Sequence, residues 1–157
     1  MSNLLGQDNR FIRFPGSAAD QLTLMHIEGD EQFSDTFRYQ IQFRTSLITG
    51  QMGRFLGHEI ACEIGRGNQK RYVHGVLTNI KEDNNTDGLS TFTGTLEPRM
   101  ALLRLGRNLA VFQNITVPDL VCKLLRQQNI NHIDLRLRGT YTPREYCIQY
   151  RESDFDF

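Results

Sequence analysis

Phe37-Arg38-Tyr39-Gln40-Ile41-Gln42-Phe43-Arg44 alternates without a fault between an apolar set (Phe37, Tyr39, Ile41, Phe43) and a polar one (Arg38, Gln40, Gln42, Arg44). Successive side chains in a strand point to opposite faces, so the pattern describes a half-buried strand with an aromatic inner face. Downstream, His58 to Ile64 alternates again, with Ile60, Cys62 and Ile64 expected inward and Glu59 and Glu63 outward. Gly65-Arg66-Gly67-Asn68-Gln69-Lys70 turns the chain, and Arg71 to Glu82 runs back as a longer strand, which makes a hairpin. A second turn, Asp83-Asn84-Asn85-Thr86-Asp87-Gly88, leads into a strand from Leu89 to Pro98. Upstream, Leu22 to Glu28 reads as a strand and Phe11 to Phe14 as a weaker one. Short helical insertions near Leu47 to Leu56 and Arg99 to Leu105 fit as caps on the open ends. Short strands separated by turn signals predict an antiparallel barrel or sandwich.

The pattern changes after Gly106. A short strand, Leu109 to Gln113, leads to a helix over Val117 to Gln128, with Thr116 as N-cap, Pro118 in the first turn and Asp119 three residues after the cap. Val117, Leu120, Val121, Leu124 and Leu125 form one apolar stripe at helical spacing, which predicts core packing, and Asn129 ends the helix. His132 to Leu137 and Tyr146 to Tyr150 read as two further strands. The expected fold is therefore mainly β: an antiparallel β-barrel domain over residues 1–106, then the truncated start of a second, α/β subdomain over 107–157. Ser153 with Asp156 is a capping signature for a helix about to begin, yet the sequence stops at Phe157. The expectation is a fragment in which Phe155 and Phe157 are left without partners.

Composition narrows the function. The 157 residues carry 18 Lys+Arg against 18 Asp+Glu, which gives zero formal charge and argues against generic binding to a phosphate backbone. No apolar run exceeds four residues, far short of the roughly 20 needed for a membrane helix. Met1-Ser2-Asn3-Leu4-Leu5-Gly6-Gln7-Asp8 has neither the cationic start nor the apolar stretch of a secretory signal. Cys62, Cys122 and Cys147 are odd in number and widely spaced, which suits a reducing compartment. Arg outnumbers Lys 15 to 3, a bias that hints at assembly because the guanidinium fork suits interfaces.

Asp83-x-Asn85-x-Asp87-Gly88 copies the opening of a calcium loop, but the position that must supply a bidentate Glu is Gly94, and a hairpin turn accounts for the same residues. Gly65-x-Gly67 lacks the third glycine and following helix of a phosphate cradle. His26, His58, His74 and His132 lie in separate elements, so no zinc set forms. Cys62 with His74 is a formal nucleophile pair, yet Cys62 shares the inward face of Ile60 and Ile64. Asp154 and Asp156 read as carboxylates offsetting a helix dipole. The expectation is no catalytic, cofactor-binding or metal site, and no cofactor.

Leu109-Ala110-Val111-Phe112-Gln113, Thr116-Val117-Pro118-Asp119-Leu120 and Arg144-Glu145-Tyr146-Cys147-Ile148-Gln149-Tyr150-Arg151-Glu152-Ser153-Asp154-Phe155-Asp156-Phe157 resemble the VgrG family, the spike proteins of bacterial type VI secretion systems. Leu56-Gly57, His74-Gly75 and Leu96-Glu97-Pro98-Arg99 sit in the family's order, and the resemblance covers about Phe11 to Phe157. It implies a barrel of the phage-tail hub and tube type. It implies a structural rather than enzymatic role, with other VgrG chains as partners in a trimer when full length and the Hcp tube hexamer as docking platform. A PAAR tip protein and effectors would engage regions absent from this sequence, and no nucleic acid or membrane anchor is involved. It further implies assembly in the cytoplasm and secretion through the type VI apparatus without a signal peptide. A contractile-phage baseplate hub and the head of an Rhs toxin share this architecture. A small β-barrel binding module for carbohydrate or peptide is the alternative from another class, and inward aromatics such as Phe37, Tyr39 and Phe43 leave it without a stacking platform.

Overall fold

Three strands that the sequence marks lie side by side. In the computed structural model, which describes residues 10–86 and 88–157, β3 (Arg38–Thr45) pairs on one side with β2 (Thr23–Asp30) and on the other with β6 (Leu89–Glu97), all antiparallel. The sheet continues through β5 (Gln69–Thr86) and β4 (Glu59–Arg66) to the two-residue β1 (Ile12–Arg13), giving the order β1-β4-β5-β6-β3-β2. The end strands β1 and β2 come against each other, so the sheet curls into a nearly closed antiparallel barrel. A short α-helix, α1 (Thr49–Met52), and the following 3-10 turn (Gly53–Phe55) sit where the sequence places an insertion.

The inner faces make the core. Phe14, Leu22, Leu24, Tyr39, Ile41, Phe43, Ile60, Cys62, Leu77, Phe92 and Leu96 are buried. Phe43 lies between two rings, edge-on to Phe14 with centroids 5.9 Å apart and stacked on Phe92 at 5.8 Å. Gly75 is required where β5 crosses the end of β6, since a Cβ there would stand 2.5 Å from the Glu97 carbonyl oxygen. At Gly65, with φ +119°, a Cβ would meet the Gln69 carbonyl at 2.0 Å, so the hairpin closes only with glycine.

The barrel corrects three expectations. Phe37 and Ile64 are half-buried rather than buried, being packed at the edge of the core. Glu63, expected outward, is 3% exposed, because β1 pairs beside it and brings Arg13 directly opposite. The six-residue turn over Asp83 to Gly88 is shorter, since the ladder runs on to the Thr86–Leu89 pair. Thr93 Oγ1 donates to Asp83 Oδ2 at 2.6 Å and ties down the bulge between Glu82 and Asn84. Asp87 and the amino-terminal residues 1–9 lie outside the described residues.

This unit extends to Pro98, and a second compact unit runs from Arg99 to Phe157. It opens with a 3-10 turn (Arg99–Arg104) and carries β7 (Asn108–Ile115), α2 (Val117–Gln127) and β8 (Arg144–Glu152). Its strands β7 and β8 form an antiparallel two-stranded ribbon. Helix α2 starts where the sequence predicts, with Thr116 Oγ1 accepting from the Asp119 backbone N–H at 3.2 Å. It ends in a left-handed cap at Asn129, φ 58°, where Asn129 N donates to Arg126 O and Ile130 N to Leu125 O. His132 to Leu137 is not a strand. It alternates, but alternation produces a strand only where a ladder partner lies alongside, and among the described residues none pairs with it.

Candidate interaction surfaces

The residues that could carry chemistry are kept apart by the fold. Cys62 points into the barrel while His74, one position off its paired residue Val73, is exposed beside Tyr72. Burial pushes the Cys62 thiol up to about 12, so it is protonated and inert at neutral pH. His26 lies 3.3 Å from Glu28, and His58 Nδ1 sits 3.2 Å from the Leu56 carbonyl. No group of three His, Cys, Asp or Glu able to hold a metal occurs among the described residues. Asp154 accepts from Asn108 Nδ2 at 2.6 Å and from Gln149 Nε2 at 2.8 Å, while Ser153 Oγ accepts from the Asp156 N–H at 3.1 Å. Those bonds complete the capping turn that the sequence signals.

Phe155 and Phe157 are not left bare, contrary to expectation. Phe157 stacks on Phe112 with centroids 5.8 Å apart, and the Arg104 guanidinium lies 3.7 Å from the Phe155 ring centroid. The α2 stripe divides: Leu120 and Leu124 are buried with Phe112, whereas Val117 and Val121 are 40% and 46% exposed. Together with Met100, Leu125 and Phe155 they line an apolar groove of about 460 Å³.

The ribbon carries a second apolar surface. One face, with Ala110, Phe112 and Cys147, packs toward α2. The other presents Leu109, Val111, Tyr146, Ile148 and Tyr150, each between 58% and 70% exposed. Register brings them together, since Val111 opposes Ile148 and Leu109 opposes Tyr150. Soluble proteins rarely leave such contiguous apolar faces bare, which makes this face a candidate interaction surface. Tyr146 and Tyr150 also correct the expectation that the strand aromatics all face inward. The signal was present in Leu109-Ala110-Val111-Phe112, a continuous apolar run that suits a strand covered on both faces.

Near the turn end of the β4–β5 hairpin, Glu63 is enclosed by basic groups. Arg13 donates through Nε at 3.0 Å and Nη2 at 3.1 Å, Lys70 Nζ lies 2.9 Å away and Tyr72 OH donates at 3.0 Å. The Arg13 guanidinium first, then Lys70, hold the Glu63 carboxyl down to about 2, against the opposing effect of burial.

A nearly closed antiparallel barrel is followed by an α/β unit that exposes apolar faces, the architecture of a phage-tail hub fold. Residues 30–157 match the family described as phage tail baseplate hub (GPD), and the chain belongs to that family. Over 156 residues it is 28% identical to the type VI secretion system spike protein VgrG1b of Pseudomonas aeruginosa, covering 98% of this chain and 21% of that protein. It is 27% identical over 156 residues to the actin cross-linking toxin VgrG1 of Vibrio cholerae, covering 93% of this chain but 14% of the relative. Among solved structures it is similar to the E. coli c3393 protein, a component of the type VI secretion system described as structurally similar to the T4 bacteriophage tail proteins gp27 and gp5. The TM-score is 0.70 and the identity 31%, over 92% of this chain and 40% of that one. The chain thus spans about a fifth of the curated relatives it matches.

Proposed function

We propose that this chain is the structural hub portion of a type VI secretion spike, trimerising with its own kind and docking on the Hcp tube so that effectors are delivered. The observation that carries the reading is similarity to spike proteins along nearly the whole chain, on a barrel with a tail-hub fold. The exposed ribbon face adds physical support, because a trimer supplies the cover that a single chain lacks. No catalytic role is assigned. The cross-linking for which the Vibrio cholerae relative is named belongs, on this reading, to the part of that protein outside the matched 14%. PAAR tips and effectors would likewise engage other parts of the longer spike. Assembly takes place in the cytoplasm, and export uses the type VI apparatus without a signal peptide.

The division of labour between the units is part of the proposal: a barrel hub unit up to Pro98 and an α/β unit from Arg99 onward, a boundary eight residues before the Gly106 expected from the sequence. The test mixes the chain, fused to a trimerising coiled coil, with purified Hcp hexamer and follows sedimentation velocity. One fused trimer per hexamer is expected. Absence of any complex, with the barrel shown folded by circular dichroism, would overturn the docking role. Without the fusion the chain is expected to be monomeric or weakly self-associating at micromolar concentration, since a stable interface buries about 1,200–2,000 Å².

A further inference from the structure

We propose that the turn end of the β4–β5 hairpin is a docking site for the carboxylates of an acidic protein segment. The site is a concavity of about 440 Å³ whose described lining includes Arg10, Arg13, Arg66 and Lys70 around the carboxylate of Glu63. Among the described lining residues, four cations face one acid, a local excess of three positive charges in a chain whose formal charge is zero. Such an excess is costly unless something anionic shares it, and a concave wall concentrates its field.

The pocket is also organised. The Glu63 side chain is 4% exposed and grips Arg13 and Lys70, whose side chains remain 24% and 32% exposed. Their charged heads are thereby fixed at the pocket wall before any partner arrives, which lowers the ordering cost of binding. Arg66 is exposed and has no ion pair among the described residues, and Arg10 Nη2 lies 3.6 Å from the Met25 sulfur. Gly67, at φ +57° with open space around its Cβ position, keeps the rim low. Arginine forks recognise carboxylates in a bidentate manner, as Arg13 already does with Glu63. A protein partner is favoured over nucleic acid because the cations are gathered in one pocket of a neutral chain, whereas a phosphate backbone is bound along an extended cationic track. The inference concerns the barrel surface alone and stands apart from the spike assignment.

The test titrates the full 157-residue chain with a hexaglutamate peptide at about 50 mM salt and follows amide chemical shifts. A hexaglutamine peptide, inorganic phosphate and a single-stranded DNA oligonucleotide serve as comparators. Saturable shifts at Gly65, Gly67 and Asn68 are expected with hexaglutamate only. Arg66→Glu should weaken binding about tenfold, which corresponds to 1.4 kcal/mol. Lys81→Glu, elsewhere on β5, should leave it unchanged. Arg66→Gln, expected to weaken binding less than the reversal, covers the case in which Arg66→Glu disturbs the fold. The proposal is overturned if hexaglutamate produces no shifts, or if hexaglutamine binds as well. Tighter binding of phosphate or DNA would overturn it too, as would an equal loss in Lys81→Glu, which would reveal only diffuse charge.

Discussion

Replacing Phe43 by Ala tests the barrel core where it is most tightly specified. Its ring is fully buried, edge-on to Phe14 and stacked on Phe92, with Gly94 leaving room for it on β6 (a Cβ there would sit 3.4 Å from Phe43 Cε1). Truncation removes the transfer free energy of the ring and leaves a cavity, for which Phe→Ala costs about 3–5 kcal/mol. The two ring pairs, each about 0.5–1.5 kcal/mol beyond burial, place the expected value in the upper half of that range. For a barrel of this size about 4 kcal/mol corresponds to a fall in Tm of roughly 16–30 °C. Urea unfolding followed by circular dichroism, with Phe33→Ala as control because Phe33 is wholly exposed, measures the difference. A loss below about 1 kcal/mol in Phe43→Ala, or a comparable loss in Phe33→Ala, would refute the burial argument.

Glu63→Gln leaves Arg13 and Lys70, a quarter to a third exposed, without their anion and should cost about 1.5–3 kcal/mol in chemical denaturation at neutral pH. Because the Glu63 pKa is lower folded than unfolded, its stabilisation is fully present above the unfolded value and disappears as pH falls through about 2; the acid limb of the wild-type stability curve should flatten in the variant. Millimolar calcium should leave Tm unmoved, since Asp83 is engaged by Thr93 and Gly94 supplies no carboxylate; an upward shift abolished by Asp83→Ala would reverse that reading. Thr116→Ala removes the acceptor for the Asp119 N–H and should cost about 1 kcal/mol, and an unchanged Tm would show that α2 is held by packing alone.

The barrel was legible because its strands carry period-two patterns with one buried face. Phe37 to Arg44 could be read directly, and the hairpin around Gly65 followed from glycine chemistry. The α2 caps were legible too, since Thr116 and Asn129 act through local backbone geometry. What escaped depends on neighbours distant in sequence. Glu63 reads as an outward residue until β1 arrives beside it, and nothing in His132 to Leu137 reveals that no strand lies alongside. The bare ribbon face was hidden for a related reason: an apolar run announces that both faces want cover, not where the cover comes from.

The strand order also has a kinetic side. Strands β4, β5 and β6 are joined in succession by tight hairpins, so their contacts close short loops and can form within microseconds. The seam between β3 and β6 is different, because pairing Phe43 with Phe92 joins residues about fifty positions apart and must spend loop-closure entropy before any reward. The β4–β6 meander is then the natural template, with β2 and β3 arriving as a late-docking hairpin. During that interval the unpaired edge of β6 is the segment on which a nascent chain is most exposed to mispairing.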